Sequence, residues 1–366
     1  MNFKQVFFAI LVTLSVLMTP GNLYAINSSQ IDNVLNKKVL NEQDFKVIDD
    51  YLRGAIDVLL NEQNMASIGR DRDAISTRKG TQPQYVYQFN QSAEKYLTEA
   101  FKTAKKITPK RRQMIVLTNL LILINSLDNV QFAVLAVNKL EDENAIVRYW
   151  AIRCLANPEV ITQLNNNEAS NPNLPLEITD KFIKMVPKAS PEELNLMAKY
   201  AANINILKGE ELLKLIVDKR IQSYADWTVK SEYIDGNLLI ILEDKITNSP
   251  DKTDIPTLAR EFAQLYSYII QRYIKGEKVL NSNQKAQLVT DIIETEDICI
   301  RNMTGAQQNL RKAIEQNNLQ ALIKEHDRLL GGNSEPGLLP TKYNFDYGTS
   351  ATGQKITSPL TLSNPK

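Results

Sequence analysis

The amino-acid sequence predicts an all-α fold, and three observations carry that prediction. Between about residues 28 and 330 nearly every apolar stretch recurs at three- or four-residue spacing, which lines one face of a helix. Sustained alternation of apolar and polar residues is lacking, as are paired strand–turn–strand signals. Hydroxyl, amide and proline residues stand where the helices would have to begin.

Taken in order, the first segment is a leader. Lys4 and the terminal amine make a short positive region, and the apolar run 6–18 is broken only by Thr13 and Ser15. Pro20 and Gly21 end the run, and Ala25 supplies a small residue for cleavage. Thirteen residues fall short of the roughly 20 that a spanning helix needs. Residues 1–25 therefore read as a signal peptide, and the mature chain as exported, periplasmic or secreted, with no transmembrane helix left. Removing Lys4 leaves 42 basic residues against 42 acidic ones, a neutral balance that argues against a nucleic-acid binder held by global charge.

Residues 26–330 are expected to form one helical-repeat domain. Phe45, Ile48, Leu52, Ile56 and Leu59 make the first stripe, and Val86, Phe89, Ala93, Leu97 and Phe101 the next. Stripes follow over 114–124, 132–140, 147–155, 182–185, 194–202, 212–216, 238–242, 258–270, 288–303 and 310–330. Thr108-Pro109 places a hydroxyl before proline at a helix start, and Ser190-Pro191-Glu192-Glu193 adds the carboxylate of a capping box. Asn157-Pro158 and Ile255-Pro256 mark further starts. Two stretches break the pattern. Residues 64–83 are polar, hold Gly69, Gly80 and Pro83, and read as a long loop. Residues 331–366 open with two glycines and continue in Ser, Thr, Pro and Asn, so they are expected to form a flexible tail. Tyr343, Phe345 and Tyr347 interrupt that tail at period two, which reads as a merely sticky tail in the commoner case and as a segment docked in extended form in the other.

One motif is specific. Leu140, Asp142, Val147, Arg148, Ala151 and Leu155 spell L-x-D-x4-V-R-x2-A-x3-L. Asp142 suits a turn before a helix, where a carboxylate can accept free N–H groups. Val147, Ala151 and Leu155 recur every four residues as a packing face, with Ala151 small enough for close helix approach. Arg148 lies off that face, placed to bridge to the turn of a following repeat. The pattern resembles the HEAT-repeat signature, with helices over 129–140 and 145–156. A shift of 47 residues sets Leu194, Ala198 and Ala202 on Val147, Ala151 and Leu155. That period fits the about 40–47 residues of such repeats, although Asn195 replaces Arg148 and Ala189 replaces Asp142. The resemblance implies an α-solenoid in which each helix pair packs on its neighbours. The other reading of the helical content is an irregular helical array.

Catalytic chemistry is sparse. His326 is the single histidine, which excludes His-rich metal sites, and no phosphate loop or nucleophile elbow occurs. No metal or cofactor is expected. His326, among Glu325, Asp327 and Arg328, reads as a solvated surface residue. Cys154 and Cys299 read as buried thiols, Cys154 on the apolar face of its helix, with a bridge between them as the other reading in an exported chain. Asp291, Glu294 and Asp297 sit at helical spacing with Glu296 beside them, and read first as a solvated face; the other reading is a cation site or paired-carboxylate work of glycosidase type. Only Trp150 and Trp227 offer an indole for sugar stacking.

The most unusual feature is charge. Lys102, Lys105, Lys106, Lys110, Arg111 and Arg112 fall within eleven residues, and no acid lies between Glu99 and Asp128. The last three occupy the first turn of a predicted helix, where the macrodipole disfavours cations. The sequence thus points to an exported HEAT-like scaffold that engages a protein partner or an anionic cell-envelope polymer or lipid. The alternative is an exported all-α carbohydrate-active enzyme. Asn27, Asn90 and Asn302 head glycosylation sequons.

Overall fold

A computed structural model describes residues 28–62, 64–248, 253–332 and 335–365. The leader expected over residues 1–25 lies outside them. The fold is all-α: among the described residues there is no strand, only an isolated bridge between Thr349 and Lys355. No described helix is long and apolar enough to cross a membrane. The chain divides after Leu127 into two compact units, where the sequence predicted a single helical domain. Regular helical spacing on both sides of the division leaves no compositional mark of it.

The first unit holds α1 (Ser29–Leu35), α2 (Glu42–Asn61), α3 (Met65–Ser76), α4 (Pro83–Ala104) and α5 (Lys110–Leu127). Asn41 and Asp44 form a reciprocal capping box that starts α2. Its face of Ile48, Leu52, Ala55, Ile56 and Leu59 is buried, and α2 packs chiefly on α4, whose Phe89, Ala93 and Leu97 are buried in turn. α3 corrects the long loop expected over 64–83. Ile68 and Ile75, two turns apart, are enclosed, Tyr51 donates its hydroxyl to Ala74 O at 2.9 Å, and Arg72 reaches Asn119 on α5 at 3.0 Å. So few apolar contacts in so polar a helix left no periodic stripe to read.

The second unit begins with a 3-10 turn, Val130–Phe132, leading into α6 (Ala133–Val137), shorter than the 129–140 helix predicted. Then come α7 (Ala145–Leu155), α8 (Pro158–Asn165), α9 (Leu174–Met185), α10 (Pro191–Asn203), α11 (Leu207–Ala225), α12 (Tyr233–Asn248) and α13 (Ile255–Lys275). α14 (Ser282–Thr295) runs through a π turn, Glu296–Ile300, into α15 (Arg301–Thr304), and α16 (Asn309–Glu315), α17 (Leu319–Leu330) and α18 (Leu338–Tyr343) follow. From α9 to α14 the helices pack in overlapping succession, α9 on α11, α10 on α11 and α12, α11 on α13, and α12 on α13 and α14. α13 also meets α17 and α18, so residues 261–272 are buried on every side.

The C-terminal region is packed, where the sequence predicted a flexible tail after residue 330. Leu339 and Pro340 of α18 are buried, and Tyr347 donates its hydroxyl to Leu330 O at 2.6 Å. Its apolar anchors are few. Beyond them, the main-chain groups of Leu360 and Leu362 are satisfied by side chains of the distant α13, which composition cannot reveal.

Candidate binding surfaces

The repeat motif forms one corner of the second unit. Asn144, not Asp142, caps α7, its side chain accepting from Ile146 N and Val147 N. Asp142 Oδ1 accepts from Asn144 N at 3.1 Å and so shapes the turn before the cap. Val147, Ala151 and Leu155 are fully enclosed. Arg148 Nη1 donates to Asp142 O and Glu143 O at 3.0 and 3.1 Å, while its Nε lies 3.3 Å from Glu193 Oε1. Glu193 is the capping-box carboxylate of α10, accepting from Ser190 N at 2.8 Å. One guanidinium thus ties the α6–α7 corner to the start of α10.

The basic residues surround the α4–α5 corner of the first unit. Lys102, Lys105, Lys106, Lys110 and Arg111 are exposed. Lys102 pairs with Glu99 at 3.0 Å and Lys110 donates to Gln113. Lys105, Lys106 and Arg111 have no acidic partner within ion-pair distance among the described residues. Arg112 stands apart, partly buried and donating to Leu60 O at 3.0 Å.

The carboxylates at 291–297 diverge. Asp291 is buried; Gln287 donates to its Oδ1 at 3.0 Å and its Oδ2 has no partner. Burial, reinforced by Asp235, Glu294 and Glu232, pushes its carboxyl up to about 8. Glu296 accepts from Leu310 N and Arg311 N, both at 2.7 Å, and thereby starts α16. Asp297 pairs with Arg311, and Glu294 is exposed. Asp291, Glu296 and Asp297 thus each engage a different neighbour. Among the described residues, no group of three or more His, Cys, Asp or Glu side chains could hold a metal. Cys154 and Cys299 are buried and form no disulfide with each other.

His326 differs from its expected solvated role. It is buried, with Nδ1 2.9 Å from Asp327 Oδ1 and Nε2 2.8 Å from Ser267 Oγ. This Ser–His–Asp chain has the order of a hydrolytic triad but not its setting. Ser267 is fully enclosed at mid-helix in α13, where main-chain N–H groups bond the helix's own carbonyls and form no oxyanion hole. Gln271 Nε2 donates to the same Ser267 Oγ at 2.9 Å, so the chain steadies Gln271.

Gln271 belongs to the surface that sequence reasoning missed. Gln264, Ser267, Gln271 and Lys275 stand three or four residues apart on α13, a polar stripe on an otherwise apolar helix. Across it lies the C-terminal segment 358–365. Gln264 Oε1 accepts from Leu360 N at 2.8 Å, and Gln271 Oε1 accepts from Leu362 N at 2.7 Å. Leu360 O accepts from Gln271 Nε2 at 3.1 Å and Leu362 O from Lys275 Nζ. Trp227 Nε1 donates to Ser363 O at 2.9 Å. Trp227 has a φ of 57°, a strained region for a bulky residue, and its indole lies over the Arg272 guanidinium at 5.2 Å. The legible signal was that spacing of polar residues within a buried-helix pattern.

No protein-family model matches the chain, and no curated protein matches its sequence.

Proposed function

We propose that this protein is an exported, HEAT-like helical scaffold whose first unit binds a polyanionic surface, on a partner protein or an envelope polymer or lipid. The observation that carries the reading is the α4–α5 corner, where Lys105, Lys106 and Arg111 project without acidic partners among the described residues. An overall charge of +1 makes this local excess a property of one site and not of the whole chain. The signal-peptide reading of residues 1–25 supports export, and the overlapping packing from α9 to α14 supports a repeat arrangement. No observation favours the carbohydrate-active alternative, because the acids at 291–297 engage different neighbours.

Retention on heparin and on anionic vesicles across a salt series tests the proposal. Exposed charges are screened beyond about 8 Å at physiological ionic strength, so retention should fall steeply with salt. Replacing Lys105, Lys106, Lys110 and Arg111 with Glu should abolish it and leave the helical signal unchanged, since these side chains are exposed. Arg112 is spared because it holds Leu60 O. Equal retention of parent and variant at low salt would refute the proposal.

A further inference from the structure

We infer that the α13 stripe of Gln264, Gln271 and Lys275 is a groove for an extended peptide of a partner protein, held in this state by the chain's own segment 358–365. The inference concerns the second unit and is independent of the basic corner.

The groove grips main chain more than side chains. Both N–H and C=O of Leu360 and of Leu362 are bonded by α13 side chains, and Ser363 O by Trp227. Two glutamines seven residues apart lie on one helix face, so their amides address successive alternate residues of an extended chain. Side-chain selection is confined to Pro359 and Leu362, which are buried; Leu360, Thr361, Ser363 and Asn364 are exposed. This is a reader of extended backbone with a Pro-x-x-Leu preference.

The chemistry of the stripe argues that its cover is exchangeable. A segment packed permanently on a core helix is held most simply by apolar side chains. The amides of Gln264 and Gln271 can instead be satisfied by water or by any peptide backbone. The occupant also leaves room beside itself. A cavity of about 620 Å3 adjoins Trp227, Arg272, Gln284 and Asn364, and another of about 250 Å3 adjoins His326, Asp327, Pro359 and Thr361. A second copy's identical segment gains nothing over the tethered one, whose effective concentration is of millimolar order. A foreign peptide that also fills these cavities does gain.

The test uses the full chain and a fluorescent peptide copying residues 355–366. Leu362→Asp weakens the tethered occupant by placing a charge where Leu362 is buried. Hydrogen exchange at the amides of Leu360 and Leu362 should show it released. The labelled peptide should then bind the variant roughly tenfold or more tightly than it binds the parent, because the competitor is gone. Adding Gln264→Ala and Gln271→Ala should remove that binding. A peptide N-methylated at the positions copying Leu360 and Leu362 should also lose it, which tests the main-chain bonds without altering the protein. Failure of the peptide to bind a chain with its tail released would overturn the inference. So would a tail that stays protected in Leu362→Asp, or N-methylation without effect. A reciprocal dimer of the parent, dissolved by the glutamine substitutions, would assign the groove to a second copy and overturn the assignment to a foreign peptide.

Discussion

At the residue scale, two buried side chains make opposite demands. Ala151 is fully enclosed at the α7 packing face, so a charge there has neither water nor a partner. Ala151→Glu should lower stability by several kcal/mol, read as a large drop in melting temperature; a melt matching the parent would refute the packing described. Asp291 already carries such a burden. Its carboxyl, ordinarily near 3.8, is pushed up to about 8, so the folded state holds a proton that the unfolded chain releases. The stability this contributes is full below about pH 3.8 and declines as pH rises toward 8. Glu261, pushed to about 7 by burial and by Asp218 and Asp254 against Lys214 and Arg260, acts in the same sense. Asp291→Asn should therefore melt higher than the parent at pH 8 and show a flatter profile from pH 4 to 8. Parallel profiles would mean that Asp291 is charged in the fold.

At the element scale, the C-terminal region has two parts with different roles. α18 and Tyr347 are apolar anchors, Leu339 being fully enclosed and Tyr347 nearly so. The segment 358–365 is held mainly through main-chain bonds to Gln264, Gln271 and Lys275. A chain ending at Leu330 should lose several kcal/mol, since burying one Leu or comparable side chain contributes about 1.5–3 kcal/mol. A chain ending at Lys355 keeps the anchors and should retain most of its melting temperature. Equal stability of the two shortened chains would show that α18 contributes nothing. Brief proteolysis should cut first in the exposed turn 351–354, not after residue 331 as composition suggested.

At the scale of the whole molecule, the division after Leu127 gives each unit its own core. Leu52, Phe89 and Leu120 are enclosed in the first, and Val147, Leu212 and Ile269 in the second. Hydrogen exchange in Ala151→Glu should accordingly lose protection across 128–366 and retain it at the first unit's core amides. Loss of equal size in both would mean one cooperative block. The exposed cations belong to the first unit and the peptide groove to the second, so each surface can be altered without the other.

The sequence by itself determined the helical class, the strongly striped helices, the enclosed face of Val147, Ala151 and Leu155, and the exposure of five of the six clustered cations. Those properties follow from period, capping residues and local charge, which act over one or two turns. Tertiary structure alone decided the rest. α3 is a helix because Ile68 and Ile75 find partners despite their polar surroundings. His326 is buried because Ser267, 59 residues away in sequence, meets it. The segment 358–365 is ordered because Gln264 and Gln271, about 90 residues earlier, supply its hydrogen bonds. Period and composition register which residues prefer burial, whereas long-range hydrogen bonds depend on which helices the packing brings together, and no local pattern encodes that choice.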